Sequence, residues 1–423
     1  MEITEQLKNS HIQCTSTGKI NEGLDIEKVL YTEVRLHAIT FVDDINSNGG
    51  KEVVEGVMRN CAEKENEKMW EFSTSKTNWM CQHNRRRNIE NIEVRVKQGL
   101  IERTEVYKYL GNMLNEKGNM DDQLIYMEGK TRGVIKSTNN ICHWSKVGKY
   151  EIEANKLLYN QQIVPAVFYN IETWTNFRKC DVEKMERMQA KILKEIYGLP
   201  KSTPYWGLIN ELDVVPIMFL ITYKRMMLYH NILNSDDDRL VKRTVEYQEM
   251  SGHEKCWFGN LKKEGEELGI EVNEGKVKGV MKSNWKREVK KKIQMAVEKK
   301  ISEKKTDSKK LRFIKEGSNK YLDEVFNEDA TMAIKIRLNM VSWIDGNEGG
   351  DNDCPLCEEA EYTTEHVFEC PSSTSEMSVN DLVEGKSMKE VVELFKRNEE
   401  MRRTLLRTNI QDNMEMLSKE RTL

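Results

Sequence analysis

Apolar and polar residues alternate with a period of two through "VLYTEVRLHAITFVDDI". That alternation, with its β-branched content, predicts a hairpin within residues 21–45 leading into a turn at two adjacent aspartates. The period then lengthens. From Gly49 to about Phe72, the residues Val53, Val54, Val57, Met58 and Cys61 share one helical face. "STSKTNWMCQ" reads as a short strand, "RRRNIENIEVRV" as a basic turn with another strand, and "TEVYKYLGNMLNEKG" as a strand ending in a turn at Gly111.

Beyond Met120 the pattern is almost wholly helical. The start "DDQLIYMEG" has the acidic residues that suit a helix N-terminus. Leu157, Leu158, Ile163 and Val164 precede Pro165, which is expected to kink or break its helix. Met185, Met188, Ile192 and Ile196 fall on one side of an amphipathic helix that Gly198 and Pro200 should stop. A further apolar helix covers roughly Pro216–Leu233. Residues 234–275 are polar with scattered glycines and read as a linker region. After them Trp285, Val289, Ile293 and Val297 recur at a four-residue stride on a Lys-rich helix. The fold class is α+β: antiparallel hairpins with a helix, followed by a mostly helical remainder.

Composition adds bounds. A chain of 423 residues, 32% of them charged, points to two or three domains with long solvated helical faces. No window approaches the ~18 apolar residues of a membrane span, and the polar start "MEITEQLKNS" is no signal peptide. Nine scattered cysteines fit a reducing compartment, so nucleus or cytoplasm is expected rather than secretion. The net charge of −4 excludes a uniformly basic nucleic-acid binder. It hides an asymmetry, however. Residues 276–320 hold seventeen Lys or Arg against five Asp or Glu, and beyond Tyr321 acids outnumber bases. That fits one local polyanion-binding surface, with a solvated helix face as the plainer alternative.

The most specific local signal is "CPLCEEAEYTTEHVFEC". Cys354 and Cys357 form a CxxC knuckle, and His366 and Cys370 lie one helical turn apart. Four such donors close a tetrahedral Zn²⁺ site with no open position, which makes it structural. Two unrelated cysteines and a surface histidine are the alternative. Asp43 and Asp44 are ambiguous alone. Paired carboxylates at a strand end hold Mg²⁺ for nucleotidyl transfer, but Asp-Asp is also common in tight turns.

Five segments in order carry a resemblance: "FVDD" at 41–44, "SKTNWM" at 75–80, "YKYLGNML" at 107–114, "LLYNQQIVPAVFYNIETW" at 157–174 and "MQAKILKEIYGLPKSTP" at 188–204. With the knuckle, the series resembles the reverse transcriptases of non-LTR (LINE-type) retrotransposons, RNA-directed DNA polymerases. The resemblance implies a partial polymerase palm at 1–118, a helical thumb-like domain at 119–233, a polar linker and basic connector at 234–320, and a zinc-knuckle region with a helical tail at 321–423. It implies Asp43 and Asp44 at a Mg²⁺ site, Lys76 near an incoming triphosphate, and Tyr109, Leu110 and Gly111 positioning a primer end. A strand-edge lysine and a core aromatic are the structural alternatives for Lys76 and Tyr109. Asn170 stands where the family usually has glycine.

The family's further palm aspartate finds no match in the forty residues before Phe41, which contain Asp25. The chain alone is therefore expected to be an inactive polymerase. Lys282, Trp285, Lys286, Arg287 and Lys290 are the expected contacts to template RNA or target DNA, gaining affinity by counterion release. The apolar stride through Trp285 fits a packing seam as well. A nucleic-acid-binding protein without enzymatic activity, or a zinc-stabilised protein-interaction domain, are the competing functions.

Overall fold

The computed structural model describes residues 38–41, 44–47, 78–80, 94–96, 99–145, 152–175, 177–237, 239–315, 317–325, 328–341, 353–354, 356–373 and 376–420. The helix expected from Gly49 to Phe72 and the strand expected before Ala38 lie outside these residues. Two compact units emerge, one from residues 1–123 with 235–259, the other from 124–234 with 260–423. Residues 234–320, expected as one linker and connector, are divided between these two units.

The strands, all short, are β1 (Ala38–Phe41), β2 (Asp44–Ser47), β3 (Asn78–Trp79), β4 (Val94–Val96), β5 (Gly99–Arg103), β6 (Val106–Tyr109) and β7 (Asn112–Asn115). β1 and β2 form an antiparallel hairpin in which Phe41 faces Asp44. β6 and β7 form another, with Tyr109 opposite Asn112. β4 also pairs antiparallel with β5, but β3 runs parallel to β5. That last pair departs from the expected antiparallel pattern. β4 intervenes in the chain between β3 and β5 and takes one edge of β5, so β3 meets the other edge in the same direction. Arg103 of β5 grips both carboxylate oxygens of Glu116, at 2.8 and 3.0 Å, and ties this sheet to the end of β7.

The helices are α1 (Asp121–Ser145), α2 (Ile152–Leu158), α3 (Val164–Val167), α4 (Lys179–Ile196), α5 (Tyr205–Leu212), α6 (Ile217–Leu233), α7 (Leu240–Ser251), α8 (Trp257–Leu268), α9 (Glu274–Val277), α10 (Lys282–Thr306), α11 (Glu328–Arg337), α12 (Thr364–Glu369), α13 (Val379–Glu384) and α14 (Met388–Glu420). The entry into α1 is built by side chains: Gln123 accepts the Met113 N–H at 2.6 Å, and the Asn115 amide reaches Asp122 at 2.7 Å.

Pro165 does not break its helix. A π turn, Tyr159–Ile163, joins α2 to α3 without interruption, and Val164 N–H bonds to Tyr159 O. The ring sits in the first turn of α3, where its lack of an N–H costs little. The helix ends two residues on, at Val167, and Asn170 beyond it is left-handed at φ 57°. That is a conformation that glycine and asparagine adopt most readily.

α4 is built as its periodicity predicts. Met185, Met188, Ile192 and Ile196 are buried, and Gly198 at φ 64° ends the helix with Leu199 N–H bonded back to Lys194 O at 2.8 Å. Gln189 on the same helix is wholly buried and joins three elements. Its amide nitrogen donates to Tyr159 Oη and Val215 O, and its oxygen accepts from Tyr205 Oη and Ile217 N. Its four hydrogen bonds leave none of its polar capacity idle.

Residues 234–275, expected as linker, carry α7, α8 and the short α9. Their buried apolar residues (Val245, Phe258, Leu261, Leu268) are spaced widely among charges, which is why composition reads as linker. Within the second unit a buried ion pair joins Glu211 of α5 to Arg337 of α11 at 2.8 Å. Tyr321 donates to the same carboxylate. Arg337 also donates to the carbonyl oxygens of Leu382 and Val383 at the end of α13. Asn210 donates to the other carboxylate oxygen of Glu211 at 3.0 Å.

Candidate metal centre and basic helix

The knuckle is folded by its own backbone. Asp353 bridges Glu361, Cys354 N–H bonds to Ala360 O at 2.7 Å, and Glu358 N–H to Cys354 O at 2.8 Å. Glu358 is left-handed at φ 57°, which closes the turn on the second cysteine. Thr363 caps α12 by accepting the His366 N–H at 3.1 Å. Cys370 N–H then bonds to His366 O, fixing the last two donors one turn apart. The four donor atoms of Cys354, Cys357, His366 and Cys370 all lie within 4.8 Å of one another.

Two separations test the fit. Zn–S bonds of about 2.3 Å at tetrahedral angles set sulfurs roughly 3.8 Å apart. Cys354 Sγ and Cys370 Sγ are 3.8 Å apart, and Cys357 Sγ is 3.3 Å from His366 Nε2. The donor set fits a metal such as zinc. Burial pushes the Cys354 thiol up to about 11, while the Glu359 backbone N–H lowers Cys357. A bound dication would hold both as thiolates.

The knuckle is anchored to the helical unit at three points. Thr364 Oγ1 donates to Asn339 Oδ1 at 2.6 Å, Phe368 meets Phe395 edge-on at 5.7 Å, and Arg312 pairs with both oxygens of Glu365 at 2.7 Å each.

Arg312 lies just beyond α10, the basic helix. Lys282, Lys286, Arg287 and Lys290 are all exposed there. Trp285 is not on their face, which corrects its expected role in touching nucleic acid. It is 2% exposed, and its indole N–H donates to Met226 O of α6 at 3.0 Å. Val289 and Ile293 are buried with it and Val297 is half-buried, so the four-residue stride is a packing seam.

The sequence-predicted polymerase residues fare unevenly. Asp43 and Lys76 lie outside the described residues. Asp44 begins β2 opposite Phe41. Tyr109 ends β6, and Leu110 and Gly111 are the two residues of its hairpin turn, at φ 45° and 83°. Two positive φ values mark a type I′ turn. Leucine pays a steric cost there that Asn would not. Leu110→Asn is expected to stabilise the chain by about 1 kcal/mol in urea unfolding. A loss of stability would mean instead that the leucine side chain packs productively.

The buried Glu211–Arg337 pair escaped sequence reading. Its only trace is charge inside apolar runs: Glu211 in "WGLINEL", and Lys335 and Arg337 in "MAIKIRL".

Comparison with protein-family models, curated proteins and solved structures finds no match for this chain.

Proposed function

We propose that the protein is a nucleic-acid-binding relative of LINE-type reverse transcriptases, in which a zinc-loaded knuckle and the exposed face of α10 hold a phosphate backbone. The observation that carries this reading is the Arg312–Glu365 fork. It joins the knuckle helix to the basic run that continues from α10 through Lys309 and Lys310. Bidentate guanidinium–carboxylate pairing fixes direction as well as distance, so a metal-ordered knuckle and the basic segment present their surfaces together. The sequence of the segments containing Asp43, Lys76 and Leu110, taken in chain order, supports descent from a polymerase, as does the left-handed Asn170 at the family's glycine position. Binding rather than synthesis is the activity we assign, since two adjacent carboxylates make a poor cage for two octahedral Mg²⁺ ions.

Titration of single-stranded RNA against salt tests the proposal. Each neutralised phosphate contributes about −0.7 to the slope of log K against log salt. Four exposed cations therefore give a slope of roughly −3, and Lys286→Gln with Lys290→Gln should reduce its size by about 1.4. Chelation should weaken binding in the same assay. Affinity indifferent to salt, or unmoved by the double substitution, would sink the reading.

A further inference from the structure

A groove of about 570 Å³ opens between α1 and the continuous helix made by α2, the π turn and α3. Its volume lies in the range of small-molecule sites. Two features of the sequence create it. On α1, Gly133 leaves open space, with nothing within 4 Å of where a Cβ would stand. On the facing helix, the π turn displaces the register beside Ile163 and Pro165; such turns recur at functional sites. Leu158, Ile163, Pro165 and Val134 make the lining mainly apolar.

Among the described residues Lys130 is the only charged side chain lining the groove. Its ammonium lies 4.7 Å from the ring centre of Tyr126 and 5.8 Å from that of Tyr169. Two aromatic faces thus hold a cation at the wall, and no carboxylate pairs with it among the described residues. Tyr169 is 49% exposed, so this edge of the groove is accessible.

We propose that the groove binds a small amphiphilic anion, an apolar body carrying one carboxylate or sulfonate. The body would replace water along Leu158, Ile163 and Pro165, and the anion would pair with Lys130. A neutral apolar molecule gains only the first interaction. A cation meets Lys130 unfavourably. The site is independent of the nucleic-acid reading, since neither the knuckle nor α10 contributes to it.

Two probes with the same rings separate the contributions: anilinonaphthalene sulfonate, and phenylnaphthylamine, which lacks the sulfonate. Titrated into the full chain by fluorescence, the sulfonate should bind saturably at one site, about tenfold more tightly than the neutral probe. Lys130→Gln should erase that preference while leaving the neutral probe's affinity unchanged. Gly133→Leu fills the open space and should cut the affinity for both probes by about tenfold or more. It should also raise the melting temperature, because leucine favours helix over glycine. Ser137→Leu, one turn along the same wall, gives a second blocking variant. Sulfonate binding that survives both blocking variants, or a preference unchanged in Lys130→Gln, would overturn the assignment.

Discussion

Replacing Arg337 with methionine is expected to cost about 3–5 kcal/mol of stability. The substitution leaves the Glu211 carboxylate, wholly buried, with Tyr321 and Asn210 as hydrogen-bond donors but no countercharge. It also removes the Arg337 donor from the Val383 carbonyl and one of two donors from the Leu382 carbonyl, which keeps the Gly385 N–H at 3.2 Å. An unpaired buried charge is the costliest of these losses, and the carbonyls add to it. Glu211→Leu in the Arg337→Met background removes the stranded carboxylate, so the double variant should recover part of the loss. Recovery should be incomplete, because the Tyr321 hydroxyl loses its Glu211 acceptor and the Val383 carbonyl its Arg337 donor. Urea unfolding of the full chain measures each arm of the cycle. Single and double variants that lose the same amount would show that the charge itself contributes nothing beyond packing.

That network explains why some parts of the structure were legible in the sequence and others were not. Local signals came through. The stripe of Met185, Met188, Ile192 and Ile196 repeats within one helix, and Gly198 ends it by a conformation nearly confined to glycine. The four metal donors sit within seventeen residues, so spacing alone brought them together. Glu211 and Arg337 stand 126 residues apart, and no pattern in either neighbourhood names the other. Gln189 is similar: its partners come from three other segments. The seam through Trp285, Val289 and Ile293 was readable as a stride. Which residues of α10 face solvent became clear only once α6 was seen beneath it, and the indole then proved to serve the core. Residues 234–275 read as linker because charge dilutes their apolar content, although Val245, Phe258, Leu261 and Leu268 stand at buried positions. Pro165 marked a local irregularity whose form it could not specify: a π turn precedes it and the helix ends two residues after it.

Removal of zinc should produce the other large effect. The knuckle has too few apolar residues to fold alone: besides its ligands, Tyr362, Val367 and Phe368 are its large buried side chains among the described residues. Metal affinity is then folding free energy for this segment. With free zinc at about a thousand times Kd, linkage contributes about 4 kcal/mol, and chelation should lower the melting temperature of the helical unit by about 10 °C. The anchors decide how far the loss spreads. Phe368 packs on Phe395 of α14, and Glu365 holds Arg312, so an unfolded knuckle releases both the start of the long helix and the end of the basic run. Cys354→Ser should mimic chelation, because its thiol is wholly buried and no other donor among the described residues stands ready to replace it. Thiol titration supplies the independent check. Cys354 and Cys370 should resist a thiol reagent in the zinc-loaded protein and react after chelation. Purified protein that carries no zinc, or whose melting temperature and thiol reactivity ignore the chelator, would remove the metal from the fold and with it the coupling between knuckle and basic helix.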